Sequence, residues 1–133
     1  MDQPTAADLA RIPLLSELSD DARAALAAVM ETEIADTGHA VVTEGRHGYA
    51  FYVVASGTAD VVHDGQPLRQ LGRGDFFGEI AIMGEGRRTA TVVARTPLIA
   101  WVLFGTSFRA LEHDRPEVAT ALQEAMRERL ATG

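Results

Sequence analysis

Between Gly74 and Val92 the chain gathers residue types that together suit one kind of ligand. Gly78 and Glu79 open onto Ile80-Ala81-Ile82-Met83, and Arg88 follows ten positions after Gly78, with Thr89 and Ala90 behind it. A glycine where a short helical run begins removes a side chain from a place where free backbone N–H groups point outward, and such groups favour an anion. Glu79, in the first turn, supplies a carboxylate that accepts hydrogen bonds from neighbouring hydroxyls. Gly84 and Gly86 let the chain turn back, and Arg88 then presents a guanidinium fork to the same small volume. A fork, backbone donors and a carboxylate acceptor fit a phosphate fused to a sugar. The bland alternative is a solvated Glu–Arg pair in an ordinary hairpin, of which most contribute little.

The rest of the composition narrows the chemistry further. The 133 residues contain no cysteine, which excludes disulfides, thiolate metal sites and cysteine nucleophiles. His39, His47, His63 and His113 stand at unrelated spacings and read as turn or surface residues rather than metal ligands. Trp101 lies in an apolar strand, where core packing outweighs base stacking. No Ser/His/Asp set and no paired carboxylates stand out, so no catalysis is expected. The net charge of −7 is concentrated in residues 1–36, which hold eight acids against two arginines. An acidic chain without a basic stripe is a poor partner for nucleic acid. No apolar run approaches the roughly 18 residues a membrane span needs, and no secretory leader is evident, so a cytoplasmic location is expected. All twelve basic residues are arginine, and alanine is abundant, a bias of high-GC bacterial genomes.

The elements that must position the Gly78–Ala90 segment fall into three regions of one domain spanning residues 1–133. Residues 1–36 read as helical, with Ser19-Asp20-Asp21 as a helix start and Leu18, Leu26, Val29 and Met30 as an apolar stripe. Residues 37–104 change to short β-rich runs broken by glycine: Val41-Val42, Tyr49 to Val54, Thr58 to His63, Leu68 to Leu71, Thr89 to Ala94 and Leu98 to Phe104. Asp64-Gly65 is a hairpin signal, and strands at intervals near ten residues indicate a sandwich or barrel. Residues 105–131 return to helix. Thr106 or Ser107 is the expected cap of a short helix ending near His113, and Pro116 suits the first turn of a longer one with Asp114 as its cap. Val118, Leu122, Ala125, Met126 and Leu130 recur at helical spacing.

Phe77-Gly78-Glu79-Ile80-Ala81-Ile82, followed by Arg88-Thr89-Ala90-Thr91-Val92, resembles the phosphate-binding cassette of the cyclic-nucleotide-binding domain family. Glu44-Gly45, Phe51 to Ala59 and Leu71 to Asp75 resemble that family's earlier strands and glycine turns, so the likeness runs from about Ile12 to Leu130. The resemblance implies a mainly β fold, an eight-stranded jelly-roll β-barrel with flanking N- and C-terminal helices. It implies a regulatory domain that binds cAMP, or less favourably cGMP. Phosphate contacts would come from Arg88 and from backbone amides near Ala81 and Ala90, and the ribose 2′-hydroxyl would go to Glu79 with the backbone of Gly78 or Ile80. Thr89 would touch the phosphate or the purine edge, and Phe77 would also be among the ligand-binding residues. Arg87 departs from the family pattern, where many members carry proline. The final helix would act as a lid, with Leu122, Met126, Leu130, Arg127 or Arg129 over the base. No winged-helix segment is evident after Leu130, which leaves the effector partner open. The alternatives are an interaction module that kept the fold, and the sensor half of a transcription factor.

Overall fold

A computed structural model describes residues 3–42, 50–83 and 90–132 of the chain. Three short helices come first: α1 (Ala6–Ala10), α2 (Pro13–Ser16) and α3 (Asp20–Val29). Thr5 and Asp8 close α1 with a reciprocal capping box, and the Ser19 hydroxyl accepts the Ala22 N–H at the start of α3. Asp20 and Asp21 in that first turn add the sign of charge that a helix N-terminus favours.

The helical stretch ends earlier than residue 36. Glu31–Ala35 forms strand β1, which pairs antiparallel with β8 (Leu98–Phe104) in the register Thr32↔Trp101 and Ile34↔Ile99. This corrects the helical reading of residues 31–36, and the cause is tertiary. The strand β8 is apolar along its length and takes β1 as its outer neighbour. The β-branched Thr32 and Ile34 suit that position better than a helix.

The remaining strands are β2 (Ala40–Val42), β3 (Ala50–Ser56), β4 (Ala59–His63), β5 (Gln66–Leu71), β6 (Phe76–Phe77) and β7 (Thr91–Ala94). With β1 and β8 they form two four-stranded antiparallel sheets, ordered β1-β8-β3-β6 and β2-β7-β4-β5. The β4–β5 hairpin turns at Asp64-Gly65, both with positive φ, as the Asp-Gly pair requires. Pro67 falls at the register shift of edge strand β5, where a missing N–H is tolerated. Two helices follow, α5 (Gly105–Asp114) and α6 (Pro116–Thr132). The former begins at Gly105 after Phe104, one residue ahead of the expected Thr106 or Ser107 cap, and no side chain caps it. At the next start, Arg115 closes α5 and leaves Pro116 to open α6.

Alternation along the strands sorts the apolar side chains into two cores. Ala50, Tyr52 and Val54 of β3 join Leu98, Ala100 and Val102 of β8, and meet Ala59, Val61, Leu71, Val92 and Ala94 of the second sheet. That is the inter-sheet core. Phe51 and Val53, on the opposite face of β3, pack with Leu103 against the helices through Leu9, Leu26, Phe108, Leu122 and Met126. The strand β3 is therefore buried on both faces, which explains its run of apolar residues without polar interruption.

Candidate functional site

The segment from β6 to β7 connects the first sheet to the second, and two phenylalanines anchor its start. Phe77 enters the inter-sheet core and stacks on Tyr52, with ring centroids 4.7 Å apart and planes within 6°. Phe76 points the other way, 5.7 Å from Phe51 at the helix-facing core. Pinning consecutive side chains in two cores fixes the direction in which the chain leaves β6.

Gly78 comes next, with φ of +82°, and a Cβ there would lie 2.2 Å from the Ala50 carbonyl oxygen. Left-handed backbone and the close approach to β3 both require glycine. The chain then turns into α4 (Ile80–Met83). The Gly78 carbonyl accepts the Ala81 N–H at 3.1 Å, and the Glu79 carbonyl accepts those of Ile82 and Met83 at 2.9 and 2.8 Å. Ile82 is 1% exposed within the helix-facing core, while Ile80 is half-buried. Ala90 reappears at the entrance to β7, packed against the same inter-sheet core as Phe77. The two ends of the crossing thus rest on one core.

Glu79 is half-buried at this turn. Burial raises its carboxyl above the ordinary value, while the Arg69 guanidinium and its own backbone N–H pull in the opposite direction. Arg69 sits opposite Val61 in the β4–β5 ladder, two residues before the buried Leu71. Arg69 and Leu71 therefore share one face of β5, beyond the register shift at which Pro67 pairs with Val62, and that period of two is the sequence signal by which Arg69 is placed beside the site. The sequence reading passed over it. It also passed over Gln123 of α6, whose Nε2 donates to the Ile82 carbonyl at 3.0 Å.

Of the site residues expected from sequence, Phe77, Gly78, Glu79, Ile80, Ala81 and Ala90 are described, and they lie along this crossing. Arg88 and Thr89 lie outside the described residues, as do Glu44, Gly45, His47, Gly84, Gly86 and Arg87. The expected lid residues divide differently. Leu122 and Met126 are fully buried in the helix-facing core, so packing is the role the structure gives them. Arg129 lies 3.8 Å from Glu17, Arg127 is exposed, and Leu130 is half-exposed. Trp101 packs at the margin of the helix-facing core and helps line a surface groove of about 430 Å³ with Pro4, Thr32 and Ile99, apart from the crossing. Among the described residues, no group of three or more His, Asp or Glu side chains is arranged to hold a metal. No helix there is long and apolar enough to cross a membrane.

A fold of two antiparallel four-stranded sheets with flanking helices, interrupted by a glycine-initiated turn bearing a half-buried glutamate, defines a class. The family model of the cyclic nucleotide-binding domain matches residues 33–114, and the chain belongs to that family. Over 105 residues it is 39% identical to a cAMP-dependent protein kinase regulatory subunit of Yarrowia lipolytica, a stretch covering 77% of this chain and 28% of that protein. A cGMP-dependent protein kinase of Caenorhabditis elegans is 36% identical over 95 residues, 67% of this chain and 12% of the kinase. The chain thus corresponds to about a quarter or less of these relatives' length. Among solved structures, the N-terminal domain of a transcriptional regulator from Streptomyces coelicolor superposes with a TM-score of 0.78 at 33% identity, covering 94% of this chain and 93% of that one.

Proposed function

We propose that the chain is a regulatory domain that binds a 3′,5′-cyclic nucleotide, cAMP more tightly than cGMP, and performs no catalysis itself. The observation carrying this reading is the Gly78–Glu79 turn. There a required glycine brings the backbone against Ala50 and leaves a half-buried carboxylate beside the cassette helix. In this reading Arg88 meets the cyclic phosphate, and the amides near Ala81 and Ala90 complete its cage. Because the Ala81 N–H closes the turn on Gly78, the phosphate shares or replaces that bond when it enters. Glu79 accepts the ribose 2′-hydroxyl, with the backbone of Gly78 or Ile80 beside it, and Thr89 reaches the phosphate or the purine edge. The two sheets close around the inter-sheet core as a jelly-roll barrel, and binding is passed on through the helices that follow it. Ligand moves such an equilibrium only by its differential affinity for two arrangements.

Both nucleotides share the ribose phosphate, and relatives named for each are similar to this chain. A threonine hydroxyl after the arginine can accept a hydrogen bond from the guanine amino group, but it is permissive only and leaves adenine accommodated. The preference for cAMP is therefore modest, about 1–3 kcal/mol, the size of one or two edge contacts. Side-by-side calorimetric titrations of wild type and Thr89→Ala test it. The expected result is tighter cAMP binding by wild type and a larger loss for cGMP than for cAMP in the variant. Tighter cGMP binding by wild type overturns the preference, and equal losses overturn the role of Thr89.

A second reading concerns output only. Likeness along nearly its whole length to the N-terminal domain of a transcriptional regulator favours a sensor half that controls an attached DNA-binding part.

A further inference from the structure

Resting on that reading, we propose that Gln123 is the positioning residue that ties the cassette helix α4 to the C-terminal helix α6, so that displacement of one is passed to the other. The carbonyl groups of a helix's last turn need partners from outside it. In α4, only one turn long, the Ile82 carbonyl finds such a partner in Gln123 Nε2, 3.0 Å away and 41 residues along the chain. The bond is half-buried, between the side chain of Ile82 on one side and those of Leu122 and Met126, which flank Gln123, on the other.

Apolar contact alone is a loose coupling, because it is non-directional and lets surfaces slide. A hydrogen bond has a narrow range of distance and angle, and leaving its partners unpaired away from water is unfavourable. A shift of α4 beyond the reach of Gln123 must break this bond or carry α6 along. The ends of α6 are held differently. Arg115, just before its start, pairs with Asp21 of α3 at 2.5 Å, and Arg129 near its end lies 3.8 Å from Glu17. Both pairs are exposed, and exposed ion pairs yield readily. Beyond the core contacts of Val118, Ala119, Leu122, Ala125 and Met126, the helix is thus fastened to the cassette at its middle by a sheltered hydrogen bond and to the N-terminal helices at its ends by exposed ion pairs.

Hydrogen exchange of wild type and Gln123→Met, with and without cAMP, tests the tie. Methionine keeps the length and apolar contacts of the side chain and removes the donor. Without nucleotide, exchange in the Ile80–Met83 segment should rise roughly three- to tenfold in the variant, the factor expected for one lost hydrogen bond, with β8 unchanged. With cAMP, wild type should respond in both α4 and α6. The variant should still respond in α4, while its α6 response falls at least about threefold. An α6 response of equal size in both proteins, none in wild type despite one in α4, or unchanged α4 exchange in the nucleotide-free variant overturns the tie. Absence of any wild-type response to cAMP refutes nucleotide binding instead, and the nucleotide-free comparison then still decides whether Gln123 holds α4.

Discussion

Glu79 is under two opposed demands. Burial favours its neutral form, whereas the role proposed for it, accepting a ribose hydroxyl, calls for the carboxylate. Its folded-state pKa lies above the unfolded one. The stability this group contributes is therefore fully present below the ordinary carboxylate range and is lost as pH rises through the raised value. If Glu79 accepts the ribose hydroxyl as proposed, nucleotide affinity should have the opposite slope, falling as pH drops through that same raised value. Glu79→Gln should accordingly leave the melting temperature unchanged or higher at neutral pH. It should weaken cAMP about tenfold or more, the loss expected for a hydrogen bond to a charged group. A 2′-deoxy analogue should bind both proteins alike, and equal losses for the two ligands would show that Glu79 serves the fold. Gly78 is constrained by geometry alone. Gly78→Ala combines left-handed backbone, unfavourable by about 1–2 kcal/mol for other residues, with a Cβ 2.2 Å from the Ala50 oxygen. Denaturant titration should show a loss larger than the backbone penalty alone, and a neutral result would mean that the turn relaxes without strain.

At the level of elements, what was legible in the sequence was what local chemistry determines. Ser19 caps α3 as its side chain and the following acids imply, and Asp64-Gly65 makes its hairpin. The Gly78–Glu79 turn opens a short helix because glycine and the apolar-alanine-apolar run leave little else. The strands β1 and β6 were not legible, because each is specified by a neighbour far along the chain. Glu31–Ala35 follows α3 with no glycine or proline between them and is set apart from it by pairing with β8, and Phe76-Phe77 is two residues held by β3. The same limit hid Arg69 and Gln123, whose importance lies in what faces them. The helix α4 illustrates how such an element is held, since one turn has no stability of its own. Its anchor is Ile82 in the helix-facing core. Ile82→Ala should destabilise the protein by about 2–5 kcal/mol in equilibrium unfolding. It should also weaken cAMP, because the cassette loses its seat. A loss under about 1 kcal/mol would show that α4 floats on the surface.

Over the whole molecule, the two cores divide the labour. The inter-sheet core supports both ends of the cassette through Phe77 and Ala90, and the helix-facing core receives Ile82 and faces α6. A ligand that moves α4 therefore acts on one core while leaning on the other. Binding to the folded state alone adds about 2.7 kcal/mol of stability when free ligand is a hundredfold above its dissociation constant. Nucleotide should thus raise the melting temperature. The decisive measurement is calorimetric titration of cAMP into wild type and Arg88→Leu, with circular dichroism to confirm that both are folded. Saturable binding at one site per chain is predicted for wild type, weakened at least about tenfold in the variant by loss of a charge-assisted contact. Equal affinity in the two folded proteins, or no binding by wild type, would contradict nucleotide recognition by this cassette.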